Sequence, residues 1–403
     1  MNSEIESETA IAEHAMPAES LPPPALPVSE PVAKPSLRHR VAVRIGSAME
    51  WVFGSLTLIV GLAIFSVIPL LNFLSLGYLL EVSGRVARNR RIRDGFIGIR
   101  KAAVIGRITL GTWLVFWPVR FVSGMWKDAE QLLAPGTSTA NGWAAVLFIL
   151  TILTVWHVVW ACLRGGKLRH FFWPAPIIFV RWLREPEKYE SIRNAVINYL
   201  RDLNLPYYFW LGARGFVGAV AWLIVPVGLL IIGSFLPQGG AILLGLLGSG
   251  LLLIVAAYLP FLQAHFACEN RFGAMFELGV VRRLFRNAPI AFWFALLVTL
   301  LFAIPLYLLK IEFPPDEIAW LPSLLFVAFI FPARVLTGWA MSRALNREEP
   351  RSVLFLWLSR LAALPVAGVY VFFVYVTQYL TWNGALSMLE QHAFLVPAPM
   401  MSL

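Results

Sequence analysis

The chain has 403 residues, 59% of them hydrophobic and only 14% charged, with a net charge of +10. A soluble domain carries about 25% charged residues, so an ordinary soluble fold is excluded. The basic residues cluster at the ends of apolar runs and form no solvated basic domain, which excludes nucleic acid as a partner despite the charge.

Residues 1–45 read as a disordered, acidic, Pro-rich tail. Six glutamates precede Lys34, and Pro22, Pro23, Pro24, Pro27 and Pro31 punctuate the stretch. Such a composition cannot bury enough apolar surface to offset its chain entropy. Its acidic start lacks the basic n-region and apolar core of a signal peptide. Within 36–50 the pattern predicts a short helix at the membrane surface, leading into a transmembrane domain over 46–382.

The apolar residues of that domain come in runs of about 20, the length that crosses a bilayer as a helix. Eight such segments fall near 51–74, 108–126, 142–163, 215–236, 241–263, 288–309, 318–342 and 361–380. The predicted fold class is therefore all-α: a polytopic membrane helix bundle of about eight hydrophobic segments, with cytoplasmic amphipathic helices and a disordered N-terminal tail. The first segment is ambiguous, because residues 51–80 are too long for one upright span and too short for two. One tilted helix crosses fully and bends onto the inner surface, or the chain dips in and returns; the full crossing is slightly favoured. Residues 383–403 form a C-terminal tail on the non-cytoplasmic side.

Between the first two segments lies the most charged stretch, EVSGRVARNRRIRDGFIGIRKAAVIGR over 81–107, read as a loop. Lys and Arg in short loops are retained on the cytoplasmic side. Counted from this loop, the four inner loops hold 25 basic residues, whereas the outer loops hold only Lys127 and Lys310. The inner loops also contain helical patterns. After Pro186, an apolar stripe through Tyr189, Ile192, Val196, Tyr199, Leu200 and Leu203 predicts a helix closed by Pro206. Phe276, Val280 and Leu284 form a second stripe beside Arg282, Arg283 and Arg286. Both suit helices lying flat at the inner interface. Arg85, Arg88, Arg90, Arg91, Arg93, Arg282, Arg283 and Arg286 are the candidate contacts for anionic lipid headgroups.

Inside the segments, polar candidates are few. No Asp or Glu falls within them, so a relay of buried carboxylates is not indicated. Arg120, two residues after Pro118, either snorkels outward or lines an anion-holding cavity; His157 is either a hydrogen-bonded core residue or a proton carrier. Prolines recur in the spans (Pro118, Pro226, Pro305, Pro365), as packing kinks or as the helix breaks of a transporter site. Gly245, Gly248 and Gly250 predict a close packing face. Tryptophans near predicted span ends, Trp160 among them, read as interfacial anchors. No HExxH pair, GxSxG elbow or Walker loop is present, so no catalytic residue, metal site or cofactor is assigned. Cys162 and Cys268 imply no disulfide framework.

The run IPLLNFLSLGYLLEVSGRVARNRRIRDGF resembles a segment of bacterial multi-pass membrane proteins that have no assigned activity. In these a Pro-containing span runs into Gly-Tyr-Leu-Leu and a basic loop, here Pro69, Gly77, Tyr78, Leu79 and Leu80. The resemblance covers about a tenth of the chain; it implies a prokaryotic inner (cytoplasmic) membrane and transfers no functional residue. Three functions stay open: a membrane-embedded scaffold or assembly factor contacting lipid or protein partners, a transporter or channel for an apolar or anionic solute, and a lipid-modifying enzyme.

Overall fold

The computed structural model describes residues 37–133, 136–184, 186–308, 320–380 and 384–390. Residues 1–36 of the tail predicted over 1–45, most of the C-terminal tail and the outer loop around Lys310 lie outside them, whereas 37–45, expected to be disordered, are helical. Among the described residues all regular structure is helical. Seven helical stretches are long and apolar enough to cross a membrane, eight if a bent pair counts as one, which makes this a multi-pass membrane protein. Ala48–Leu403 forms one compact unit.

The ambiguous first segment is two helices. α1 (Leu37–Val67) ends before Pro69, and Leu70, with φ of +67°, reverses the chain into α2 (Asn72–Asn89). The Ser75 hydroxyl donates to the Leu62 carbonyl at 2.7 Å, fastening the two limbs near the turn. At the other end, the rings of Trp51 and Phe96 lie 4.9 Å apart. The chain therefore enters and leaves the pair at neighbouring points, with the turn about 24 Å further along α1 at 1.5 Å per residue. The pair thus brings the chain back towards its starting end, and α1 is by itself long and apolar enough to cross over Val43–Val67.

The return changes the reading of 81–107 as well. Its first nine residues are not loop but the second half of α2, and twelve of that helix's eighteen residues are buried. α2 packs against α9 (Leu205–Ser234), α10 (Gln238–Glu269) and α13 (Trp320–Leu345). Glycine permits this. A Cβ on Gly77 would stand 1.7 Å from the Tyr208 carbonyl oxygen, and one on Gly212 would stand 1.9 Å from that of Phe73. Gly84 and Gly338 make comparable approaches to Ala267 and Ser83. Backbones that close gain dispersion contact that lipid cannot match. Of the predicted glycine face on α10, Gly248 is buried against Leu230, whereas a Cβ on Gly245 or Gly250 would meet nothing within 4 Å.

The remaining spans follow the apolar runs with longer ends. α3 (Ile99–Val115) and α4 (Trp117–Leu133) break at Phe116, one residue before the predicted effect of Pro118. α5 (Ser138–Leu163) packs on α4, and α6 (Leu168–Phe172) on α3. Trp160, read as an anchor, is buried and donates its indole N–H to the Pro174 carbonyl at 2.8 Å. α8 (Pro186–Asp202) matches the predicted boundaries. It is not flat, however: no sharp bend separates it from α9, and the two run on as a 46-residue stretch from Tyr189. By contrast α11 (Leu278–Asn287) turns through 113° into α12 (Pro289–Leu308), as an interfacial helix would. Its buried side is Val281 and Leu284, while Arg282, Arg283 and Arg286 are exposed. α14 (Val353–Leu380) packs along α12.

α2 and α10 end alike. Each stops at a left-handed residue, Arg90 and Asn270, followed by an extended arginine, Arg91 and Arg271, and then a 3-10 turn, Ile92–Gly95 and Phe272–Phe276. Hydrogen bonds tie these ends to their neighbours. Arg88 donates to the Ala267 and Cys268 carbonyls, Asn287 to those of Ala344 and Arg347, and the Arg351 amide to that of Arg286. The basic segments thus gather at one end of the bundle.

Candidate functional site

The polar centre of the bundle is Glu81, a residue that apolar-run reading leaves in a loop. Its side chain is 2% exposed. On a helix, positions 81, 85 and 88 share one face at i, i+4 and i+7. Arg85 Nε accordingly meets Glu81 Oε1 at 3.3 Å and Arg88 Nη2 the same oxygen at 2.5 Å. The other oxygen, Oε2, accepts from the Tyr207 hydroxyl of α9 at 2.8 Å. An unpaired buried carboxylate would cost several kcal/mol, so the two arginines and the tyrosine are what allow α2 to sit inside the bundle. The same Arg88 guanidinium joins α2 to the end of α10 through Ala267. Tyr78, one turn before, donates to the Ile97 carbonyl at 2.9 Å and pins the 3-10 turn back on α2.

A second cluster stands where α10 gives way to α11. His265 Nε2 lies 2.9 Å from Glu277 Oε2, and Arg271 Nη2 lies 2.5 Å from Oε1. Hydrogen bonds from His265 and then Arg271 hold the Glu277 carboxyl below the usual carboxylate range. His265 of α10 and Glu277 at the start of α11 thus tie the two helices together as a latch.

The predicted site residues distribute as follows. Arg85 and Arg88 belong to the Glu81 network. Arg90, Arg91 and Arg93 are exposed beyond the end of α2, and Arg282, Arg283 and Arg286 on the outer side of α11. Among the described residues, none of these last six has a carboxylate within ion-pair distance. Arg120 is exposed on α4, apart from all of them. His157 is partly buried, with Nε2 2.7 Å from the Phe171 carbonyl oxygen. The structure therefore does not bring Arg120 and His157 together with the arginine-rich end. Among the described residues no cluster of three His, Cys, Asp or Glu could hold a metal.

Sequence reading missed Glu81, Tyr207 and the His265–Glu277 latch. Two signals for the first were present: the 81/85/88 spacing, and Gly77 and Gly84 seven residues apart on an adjoining face. Tyr207 lies 126 positions away and only the fold supplies it. Compared with protein-family models, with curated proteins and with solved structures, the chain matches none.

Proposed function

We propose that this protein is a membrane-embedded scaffold whose arginine-rich end holds anionic headgroups and docks partners at the cytoplasmic face of a prokaryotic inner membrane. One observation carries the reading. The Glu81 carboxylate at the bundle centre is satisfied by Arg85, Arg88 and Tyr207, whereas Arg90, Arg91, Arg93, Arg282, Arg283 and Arg286 at its end are exposed and have no carboxylate within ion-pair distance among the described residues. Buried charges that are fully paired stabilise a shape, and exposed clusters of basic residues at a membrane surface attract anionic lipid at about 1 kcal/mol each. The glycine-locked contacts of α2 with α9 and α13 favour a rigid platform over a moving gate. The uncovered stripe of α8, with Tyr189, Val196 and Leu200 exposed, is the surface proposed for a protein partner.

The test is polymer extraction of the full chain from membranes of phosphatidylcholine with phosphatidylglycerol, followed by analysis of the lipid that travels with it. The scaffold reading expects phosphatidylglycerol enriched over the parent membrane, and enrichment reduced in the triple variant Arg90→Gln, Arg91→Gln, Arg93→Gln. Equal lipid ratios in disc and membrane would refute it. So would solute flux in reconstituted vesicles that Arg120→Ala abolishes at unchanged abundance, which would install transport instead.

A further inference from the structure

Between α10, α11, α12 and α14 lies a cavity of about 280 Å3. That is just below the roughly 300–1,000 Å3 usual for ligand cavities. Most of its wall is aliphatic or aromatic, including Ile254, Ala257, Phe261, Phe285, Leu296 and Ala367. Trp357, Leu361 and Leu364 of α14 line it too and are exposed, so it opens sideways on the surface of the bundle.

Its polar groups are few and of one kind. Arg360 lines the cavity, its guanidinium carbon 5.5 Å from the Trp357 ring and 5.9 Å from that of Phe285. Tyr258 lines it as well, and Arg282 leans on that ring at 5.9 Å with Nε 3.5 Å from the hydroxyl. Neither arginine has a carboxylate within ion-pair distance among the described residues. Glu277, the acid just before α11, is taken by His265 and Arg271. Trp293 also lines the cavity, and its buried indole N–H has no hydrogen-bond partner among the described residues. The chamber is thus apolar, open to the side, and supplied with donors and positive charge but no free acid.

An occupant must match both halves. A free anion would leave the apolar chamber empty, and a neutral tail would leave the guanidinium groups without a counter-charge in a weakly polar setting. We infer that the cavity seats one acyl chain of an anionic phospholipid, whose phosphate lies between Arg282 and Arg360. Basic pockets between membrane helices on the side of the positive loops take such headgroups, and planar guanidinium groups suit phosphate oxygens. The inference deepens the platform reading and rests on it for the side of the membrane: one stoichiometric lipid, distinct from the looser headgroups around Arg90, Arg91 and Arg93.

The experiment is native mass spectrometry of the full chain released from nanodiscs of phosphatidylcholine with phosphatidylglycerol. One phosphatidylglycerol per chain survives activation that strips phosphatidylcholine. Arg282→Gln with Arg360→Gln lowers its retention about tenfold or more, since each contact to a charged group is lost. Ala363→Phe, which fills the chamber, removes the retained lipid while leaving phosphatidylglycerol enrichment in polymer discs unchanged. If that variant fails to fold, Leu361→Trp narrows the exposed mouth instead and has the same expected effect. Equal retention of both lipids, or a bound lipid indifferent to the cavity variants, overturns the inference. One retained lipid without disc enrichment sinks the platform and leaves the cavity standing; enrichment without a retained lipid does the reverse.

Discussion

Removal of Glu81 should cost the fold about 3 kcal/mol. Breaking a buried ion pair by deleting one partner costs about 3–5 kcal/mol, because the other charge is left without compensation. Here the side chains of Arg85 and Arg88 are 39% and 33% exposed. Both can turn partly to water, and Arg88 keeps its bonds to the Ala267 and Cys268 carbonyls. What remains stranded in Glu81→Ala is the Tyr207 hydroxyl, worth about 1–3 kcal/mol when a buried donor loses its acceptor. The low end of the range follows. Glu81→Gln, which keeps an acceptor but no charge, should cost about half as much, and Tyr207→Phe about 1 kcal/mol. The assay is unfolding in mixed micelles followed by tryptophan fluorescence, with Glu81→Gln and Tyr207→Phe also combined in a double-mutant cycle. A Glu81→Ala protein within about 0.5 kcal/mol of the parent, the range of an ordinary surface change, would show that the network does not hold α2 in place.

Gly77→Ala places a methyl where the Tyr208 carbonyl stands, so α2 and α9 must separate. A loss of about 1–3 kcal/mol or more is expected, read as a lower unfolding midpoint; a neutral result would mean that the two backbones are further apart. The Glu277 carboxyl has a depressed folded value, so its contribution is present above the unfolded value of about 4.3 and is lost as pH falls through the folded one. Thermal stability of the parent in detergent should therefore drop below about pH 4, and Glu277→Gln should start less stable at neutral pH and show a flatter acid limb. Parallel curves for the two proteins would detach Glu277 from the latch. Arg120→Ala, at an exposed position without a side-chain partner among the described residues, should change stability by less than about 0.5 kcal/mol; a large fall in membrane abundance would reveal a contact not accounted for.

Much of the architecture was legible because lipid imposes a simple rule: a helix that crosses must be apolar over its length. α5, α9, α10, α12 and α14 follow from their runs, and the boundaries of α8 follow from Pro186, Pro206 and its stripe. α2 was illegible for the same reason. It carries Glu81, Arg85 and Arg88, so a rule written for lipid-facing helices dismisses it, although protein rather than lipid surrounds it. Pro69 and Asn72 marked a disturbance, yet a left-handed Leu70 cannot be foreseen from residue type. The tilt of α11 was legible in its stripe of apolar residues beside three arginines, whereas the direction of α8, less strongly amphipathic, depends on how Asn204 joins it to α9. The cavity was wholly illegible. Its lining comes from four helices that no single stretch of sequence brings together.

The burial of α2 has a consequence for biogenesis. Its walls are α9, α10 and α13, and the last of these ends at Leu345. A ribosome adding about 5–20 residues per second completes α2 roughly 10–50 s before that wall exists. During that interval a helix bearing Glu81, Arg85 and Arg88 lacks at least one of its walls, first all three and at the last α13, and the hydrocarbon core is a costly place for it. It must wait at the headgroup level beside α1, held by its own arginines. The helix made second therefore completes its setting only after α13 is made, although its closest fit, at Gly77 and Gly212, needs only α9.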